Sequence, residues 1–168
     1  TTRAPRLGET HGEDYFFTDE PDFMARRDAG EFLEWAEVHG NFYATSRLWI
    51  DEQIAAGTDI VLEIDWQGAA QVQALYPDAV SIFVAPPSLE VLQQRLQTRG
   101  KDSAATIERR LAAARSELAH AGQFQYIIIN QDFELARQQL IGIADTARCR
   151  FLQQAALNTP LFQSLGIL

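Results

Sequence analysis

The chain has 168 residues, 46% of them hydrophobic and 22% charged, and a formal net charge of -9 at pH 7. This length predicts one domain around a single sizeable core, and no stretch is long and apolar enough to span a bilayer. The acidic balance argues against a broad nucleic-acid surface, which needs clustered positive charge, so we expect no nucleic-acid and no membrane partner.

The single cysteine, Cys149, excludes an internal disulfide framework. The sequence also shows no basic segment followed by an apolar one, as a secretory signal would. Both observations favour a reducing compartment, and we expect a cytoplasmic protein with a free thiol.

The first part of the chain, residues 1–57, predicts a small mixed lobe of strands and helices. Its predicted elements are, in chain order, the short strand YFF at 15–17, a helix over 22–29, two strands around a turn at Gly40-Asn41, and a helix over 47–56. Ser46 is placed to cap the second helix, and Gly30 and Gly57 are stop signals for the two helices.

The rest of the chain, residues 58–168, predicts a parallel-sheet core. Three short apolar runs are rich in β-branched residues and too continuous for one solvated face, which is typical of buried parallel strands: DIVLEID at 59–65, AVSIFVA at 79–85 and YIIIN at 126–130. Helical segments separate them, with Ser88 as a cap, Gly100 and Gly122 as stop signals, and a final helix from about 133 to about 156. This alternation indicates an α/β fold.

Two polar residues stand where predicted strands end. Ligands of an open parallel sheet normally bind beyond the carboxyl ends of its strands, and Asp65 and Asn130 occupy two such ends. The carboxylate of Asp65 can face a ligand crevice or can merely cap the helix that follows, and its position alone does not choose between them.

The beginning of the chain carries a candidate phosphate site. Arg3 and Arg6 lie three residues apart, and with Tyr15 and Tyr43 on neighbouring strands they could converge on one phosphate through charge-assisted hydrogen bonds. Taken singly, each arginine fits a solvated surface position better. The pattern around Glu34 similarly favours a glutamate on the wet face of a strand.

A second basic cluster lies in RLQTRGKDSAATIERRL, at about residues 95–112, and contains Arg95, Arg99, Lys101, Arg109 and Arg110. Arg95 and Arg99 share one helix face, and a glycine separates them from Arg110 on the next helix, so the pair of helices could close arginines over a phosphate chain. The alternative is a charged helical hairpin balanced by Glu90 and Glu108.

Several catalytic motifs do not occur in the sequence. It has no HExxH or CxxC for a metal, no GxSxG for a nucleophilic serine, no GxGxxG for a dinucleotide and no GxxxxGK[ST] phosphate loop. The three histidines, His11, His39 and His120, have no acidic or cysteine neighbours at metal-ligand spacing, so we expect no protein-held metal site.

Taken together in order, six segments resemble the bacterial guanylate kinase family, over residues 1 to about 150: TTRAPRLGE, HGEDYFF, GEFLEWAEVHGNFYAT, LEIDWQGA, FVAPPSLEVLQQRLQTRGKDS and YIIIN. The resemblance implies a nucleoside monophosphate kinase core of the P-loop NTPase type, a lobe over 1–57 that binds GMP, and a helical lid at about 95–112. It also implies transfer of the γ-phosphoryl group of ATP to GMP, with ATP as co-substrate and Mg²⁺ held mainly through ATP.

The resemblance carries residue roles as well. It implies that the GMP phosphate is held by Arg3, Arg6, Tyr15 and Tyr43, with Glu9 supporting the arginines, and that guanine is read by Glu34, Thr45 and Asp65. The lid-side arginines that close over the ATP phosphates are Arg95, Arg99 and Arg110. Asn130 matches a position near the adenine, and Glu63 or Asp65 would reach the waters of Mg²⁺.

The chain departs from the family in its phosphate loop. Members carry a strand, a glycine-rich loop with the catalytic lysine, and a helix immediately upstream of the position that Thr1 occupies, so catalysis is conditional on that unit. The alternative is a non-catalytic guanylate-kinase-like module that binds GMP or a phosphorylated peptide. We favour the enzyme, because both the guanine readers and the lid arginines are kept.

The upstream strand would lie in the centre of the sheet. Without it the sheet would expose unpaired inner edges, which favours association between chains. We therefore expect self-association of the 168-residue chain through these edges or through its apolar C-terminal tail, LNTPLFQSLGIL.

Overall fold

A computed structural model describes residues 1–99 and 103–168, without the side chain of Arg99. The chain forms two compact units, Thr1–Ala79 and Val80–Leu168. The predicted stop at Gly100 and the cationic Lys101 lie outside the described residues. The division into a lobe over 1–57 and a core over 58–168 stays a prediction.

The first unit is built on an antiparallel hairpin of β1 (Phe32–Val38) and β2 (Asn41–Ser46). Because Val38 pairs with Asn41, the turn consists of His39 and Gly40, one residue earlier than predicted. Both have positive φ, 53° and 79°, as the two-residue turn that matches strand twist requires. This left-handed conformation is the reason that glycine occupies position 40.

Three helices pack against β1: α1 (Glu20–Asp28), α2 (Arg47–Ala55) and α3 (Trp66–Leu75). The first begins two residues before its predicted start, because the Asp19 side chain accepts from the Asp22 N–H and Pro21 occupies the first turn. Ser46 caps α2 as predicted, by accepting from the Trp49 N–H at 3.4 Å. The predicted strand YFF is reduced to a single bridge between His11 and Tyr15.

The second unit contains a parallel pair, β3 (Ile82–Ala85) and β4 (Tyr126–Ile129), which confirms two of the predicted strands at shorter lengths. They are joined through α4 (Leu89–Arg99), α5 (Ala104–Leu118) and a 3-10 turn, Ala121–Gln123. Ser88 caps α4 as predicted, through the Val91 N–H. The expected stop at Gly122 is wrong, because α5 ends at Leu118 and Gly122 lies inside the 3-10 turn.

The predicted final helix is two helices, α6 (Phe133–Arg148) and α7 (Phe151–Leu157), and α8 (Thr159–Ser164) follows in the tail. The break lies at Arg150, whose ψ of 144° is not helical. The side-chain amide of Gln154 donates to the Arg148 carbonyl at 2.9 Å, which satisfies an acceptor released at the end of α6. None of the described helices is long and apolar enough to cross a membrane.

The predicted strand at 59–65 is wrong for the described chain, because this segment belongs to neither sheet. Its side chains nevertheless alternate, with Ile60, Leu62 and Ile64 half-buried and Val61 and Glu63 exposed. This is the burial pattern of a strand. A strand is completed by a hydrogen-bonded ladder to a neighbouring strand, and neither sheet of the described residues includes this segment.

The core of the first unit is centred on Phe23 of α1, which is 1% exposed. Its ring lies 4.8 Å from the Phe32 ring and 5.5 Å from the Phe42 ring, so α1 is anchored to both strands of the hairpin. Leu33, Ala36, Ile50 and Ala69 are the other buried hydrophobic residues of this unit.

We expect Phe23→Ala to lower the free energy of unfolding by about 3–5 kcal/mol, since it removes a buried ring and leaves a cavity between helix and hairpin. Phe16→Ala is the matched control, because the Phe16 side chain is 68% exposed. Its expected loss is about 0.5 kcal/mol or less. Urea unfolding of the three proteins tests this, and equal losses in both variants would contradict the assignment of Phe23 to the core.

Candidate functional site

A buried carboxylate lies at the start of the hairpin. The side chain of Glu34 is 4% exposed, and the Thr45 hydroxyl, from the residue paired with it on β2, donates to Glu34 Oε1 at 2.6 Å. The β1 register shifts between Phe32 and Glu34, and Leu33 and Glu34 are both buried in consecutive positions. Such a bulge redirects a side chain that strict alternation would leave in solvent. The sequence expectation of a wet-face glutamate is therefore wrong.

Asp65 is the N-cap of α3. Its Oδ1 accepts from the Gly68 N–H at 3.0 Å, and its Oδ2 accepts from Gln67 Nε2 at 2.8 Å. The capping role that the sequence left open is thus present. The negative charge of Asp65 also acts on Glu34, so Asp65 takes part in the same buried electrostatic environment.

The ionisation of Glu34 is disfavoured by its surroundings. Burial is the larger cause and the charge of Asp65 adds to it, and together they raise the pKa of Glu34 above its ordinary value, although the Thr45 hydrogen bond opposes them. A buried carboxylate that accepts one hydrogen bond has capacity for more donors. A bound group that supplies N–H donors would therefore stabilise the ionised form of Glu34.

The second candidate centre is formed by Arg3 and Glu9. The two side chains are joined by a pair of parallel hydrogen bonds, Nη1 to Oε2 and Nη2 to Oε1, each 2.9 Å long. Glu9 Oε2 also accepts from the Arg6 backbone N–H at 2.7 Å. The bond from Arg3, followed by that from the Arg6 backbone, lowers the pKa of Glu9, and the bond to Glu9 is the main cause that raises the pKa of Arg3.

Aromatic rings surround the Arg3 guanidinium. Its central carbon lies 5.3 Å from the Tyr15 ring centroid and 5.8 Å from that of Phe17, within cation–π range. Tyr43 also acts on Arg3 and helps to raise the pKa of its guanidinium, and the Tyr15 and Tyr43 rings are 6.1 Å apart. The predicted meeting of Arg3, Tyr15 and Tyr43 is therefore present in the structure.

Arg6 differs from Arg3, because its side chain is exposed and only its backbone joins the cluster. The loop that carries both arginines is attached to the edge of β2. The Thr2 N–H donates to the Phe42 carbonyl at 3.0 Å, and the Phe42 N–H donates to Thr2 Oγ1 at 2.9 Å. Arg3 follows directly, so its position beside Tyr43 is set by the hydrogen bonds between Thr2 and the Phe42 backbone.

The predicted lid residues lie in the second unit. Arg95 is exposed on α4 and donates from Nη2 to the Gln131 carbonyl at 3.3 Å, and Arg110 is half-buried on α5. Arg99 ends α4, and its side chain lies outside the described part of the chain. Asn130 follows β4, where its backbone N–H donates to the Ala85 carbonyl at 2.8 Å.

Sequence reasoning missed the glutamines that hold α3 against β1. Gln71 donates from Nε2 to the Trp35 carbonyl at 2.7 Å and accepts from the Trp35 N–H at 3.2 Å, as a neighbouring strand would. Gln67 Nε2 lies 3.4 Å from the Glu37 carbonyl. The signal was available, because two glutamines four residues apart share one helix face.

No group of three or more potential ligands that could hold a metal ion is found among the described residues. Glu63 is exposed, and both carboxylate oxygens of Asp65 already accept hydrogen bonds. Single carboxylates of this kind suit contact with the water shell of an ion whose other ligands come from a phosphate substrate.

We expect Glu34→Gln to raise the free energy of unfolding at pH 7, and the difference from wild type to shrink as the pH falls toward 4.5. Because the folded-state pKa of Glu34 is raised, its ionisation destabilises the fold above that pKa and has no effect below the ordinary value of 4.5. Urea unfolding at several pH values from 4.5 to 8 measures the difference in unfolding free energy between Glu34→Gln and wild type. The titration of the other carboxylates contributes equally to both proteins and cancels in this difference. A difference that stays constant or grows in acid would contradict the burial of an ionised Glu34.

Comparison with known proteins agrees with this geometry. The family model described as guanylate kinase matches residues 1–146. A guanylate kinase of Ralstonia nicotianae is 56% identical over 99% of this chain and 76% of its own length, and one of Bordetella pertussis is 54% identical over 99% and 78%. A crystal structure of guanylate kinase from Anaplasma phagocytophilum matches with a TM-score of 0.81 and 34% identity, over 96% of this chain and 80% of that one. The chain belongs to the guanylate kinase family.

Proposed function

We propose that this chain carries the GMP site of an ATP:GMP phosphotransferase, which moves the γ-phosphoryl group of ATP to GMP and yields GDP and ADP. The observation that carries the proposal is a buried carboxylate on the hairpin together with an arginine–tyrosine cluster that joins the same hairpin at Tyr43. Tyr43 and Thr45 are two positions apart on β2, so they share a face and are separated by about 7 Å. That spacing suits a nucleoside monophosphate with its phosphate beside Tyr43 and its base beside Thr45.

Glu34 would read the guanine base. Guanine presents N1–H and an exocyclic amine side by side, and one carboxylate can accept from both. Adenine offers an acceptor at N1, which would leave a buried carboxylate facing a lone pair. A site of this kind can discriminate by roughly 10⁴, because the wrong base leaves buried polar groups without partners. Thr45 orients the carboxylate through its bond to Oε1, and Asp65 completes the base site.

The GMP phosphate would be held by Arg3, Arg6, Tyr15 and Tyr43. Arg3 is held in place by Glu9 through two hydrogen bonds and by two rings, so little side-chain freedom is lost when an anion arrives. Arg6 supplies an exposed guanidinium next to it. Glu9 would not touch the phosphate, and its role is to position the arginines.

The ATP side would use the arginines of the second unit and the phosphate loop that the family carries upstream. Phosphoryl transfer needs alignment and neutralisation of charge on the transferred group rather than a protein nucleophile. Arg95, Arg99 and Arg110 would supply the neutralising charges, and Asn130 would lie near the adenine. Mg²⁺ would be held by the ATP phosphates, with Asp65 or Glu63 reaching its waters.

The roles of Glu34 and Arg99 can be separated in the complete enzyme. We expect Glu34→Ala to reduce the preference for GMP over AMP by about 100-fold or more in kcat/KM, because the carboxylate acts on the base. We expect Arg99→Ala to lower kcat by about 10- to 1000-fold with little change in the KM for GMP, because it acts on the transferred group.

Glu37→Ala is the matched control, since Glu37 is an exposed glutamate on the same strand. It should leave both the preference for GMP over AMP and the kcat near their wild-type values. Steady-state kinetics with GMP and AMP measure all three variants. Unchanged selectivity for GMP over AMP in Glu34→Ala would contradict the base-reading role of Glu34. A chain that binds a phosphorylated peptide but no GMP would support the non-catalytic module instead.

A location in the cytoplasm and self-association complete the proposal. The exposed free thiol of Cys149 suits a reducing compartment.

Self-association would use the parallel sheet, where Ile127 and Ile129 of β4 are 54% and 47% exposed, or the tail, where Leu165 is 62% exposed. Large apolar side chains exposed on a sheet favour contact with another chain.

We expect the average molar mass of the 168-residue chain to rise with protein concentration in light scattering, and the double variant Ile127→Thr/Ile129→Thr to reduce that rise. Leu48→Thr is the control, because Leu48 is an exposed leucine on α2 and belongs neither to the parallel sheet nor to the tail. A mass that stays at 18.9 kDa at every concentration would contradict self-association.

A further inference from the structure

Helix α3 lies close to the buried carboxylate at Gly68, which is itself buried. A Cβ built at Gly68 would lie nearer to Glu34 Oε2 than van der Waals contact permits, 3.1 Å from Glu34 Cδ and 3.3 Å from Ile64 Cβ. Gly68 lies in the first turn of a helix, and its φ is outside the left-handed region. Conformational freedom therefore does not explain this glycine, whereas the space taken by Glu34 does.

The helix cannot easily move back to make room for a side chain. Gln71 holds both backbone groups of Trp35, and Trp35 follows Glu34 directly. The Gly68 N–H is bound by Asp65, which ties the same backbone position to the helix cap. A side chain at position 68 would thus be accommodated by displacement of the Glu34 carboxylate, which is the movable partner.

We propose that Gly68 is a specificity-determining positioning residue, whose missing side chain keeps the Glu34 carboxylate in the pose that reads guanine. This inference rests on the proposed function of Glu34. In the observed pose Oε1 accepts from Thr45. The described residues donate no hydrogen bond to Oε2, so this oxygen remains available to a ligand.

Displacement of the carboxylate would act on the guanine contacts first. Two hydrogen bonds from the guanine N–H groups to one carboxylate form only when that carboxylate has the correct distance and orientation. The phosphate cluster around Arg3 does not depend on the Glu34 carboxylate. A methyl group at position 68 should therefore weaken recognition of the base without removing the anchor for the phosphate. The loss of affinity should be largest for a ligand such as GMP, whose base donates from both N1–H and the 2-amino group.

The test is Gly68→Ala in the full chain, with equilibrium binding of GMP and of inosine monophosphate, which lacks the 2-amino group, measured by calorimetry. We expect GMP binding to weaken by about 10- to 100-fold, as the loss of charge-assisted hydrogen bonds predicts. Inosine monophosphate should lose less, so the ratio of the two affinities should shrink. Gly142→Ala is the control, since a Cβ there meets nothing within 4 Å, and it should leave both affinities unchanged.

A second substitution distinguishes a clash with Glu34 from general damage. Glu34→Asp shortens the side chain by one methylene group and draws the carboxylate away from position 68. In the wild-type background we expect Glu34→Asp to weaken GMP binding. In the Gly68→Ala background we expect the same substitution to weaken GMP binding by a smaller factor. Such coupling between the two substitutions is not expected if the methyl group merely loosens the helix.

The outcomes separate the two proposals. A wild-type chain that does not bind GMP overturns the proposed function and this inference with it. A wild-type chain that binds GMP, with a Gly68→Ala variant that binds equally well or loses both nucleotides by the same factor, overturns only the role of Gly68. If Gly68→Ala alone does not fold, recovery of the folded state by Glu34→Asp supports the inference, and failure of that rescue overturns it.

Discussion

The burial of one carboxylate, that of Glu34, is the constraint on which the first unit depends. An ionisable group that is 4% exposed is costly unless donors surround it, and the hairpin supplies only one of them, Thr45. The remaining capacity of the carboxylate is what makes it a ligand site. Several features of the fold meet at this group: the bulge that turns Glu34 inward, the cap that begins α3 beside it, and the glycine that leaves it room.

The phosphate cluster solves a different problem, which is to attract an anion to a chain with a net charge of -9. Its solution is local. One arginine is fixed by a carboxylate and two rings, and the loop that carries it is attached to the edge of β2 by the hydrogen bonds between Thr2 and the Phe42 backbone. Charge is therefore concentrated at a point rather than spread over a surface, which agrees with recognition of one phosphate group and not of a polyanion. The hairpin holds this cluster and the buried carboxylate in a common frame.

Most elements could be anticipated from local signals, and the errors share a cause. Ser46 and Ser88 cap helices as predicted, because a cap depends on a few neighbouring residues. The segment 59–65 has the alternation of a strand but belongs to neither sheet of the described residues, since strand pairing depends on residues distant in the chain. The break before α7 was missed for a similar reason, because the acceptor released there is satisfied by Gln154, a side chain with no helix-stop signature.

The sequence by itself determined the family, the helix caps and the residue types of both centres, because these are recorded in short motifs such as TTRAPRLGE and LEIDWQGA. Only the tertiary structure decided that Glu34 is buried rather than exposed, that Asp65 both caps α3 and acts on Glu34, and that the Glu34 carboxylate leaves no room for a side chain at Gly68. The physical reason is that burial, electric fields and contact distances arise between residues that are far apart in the chain. No local pattern of charge or hydropathy contains that information.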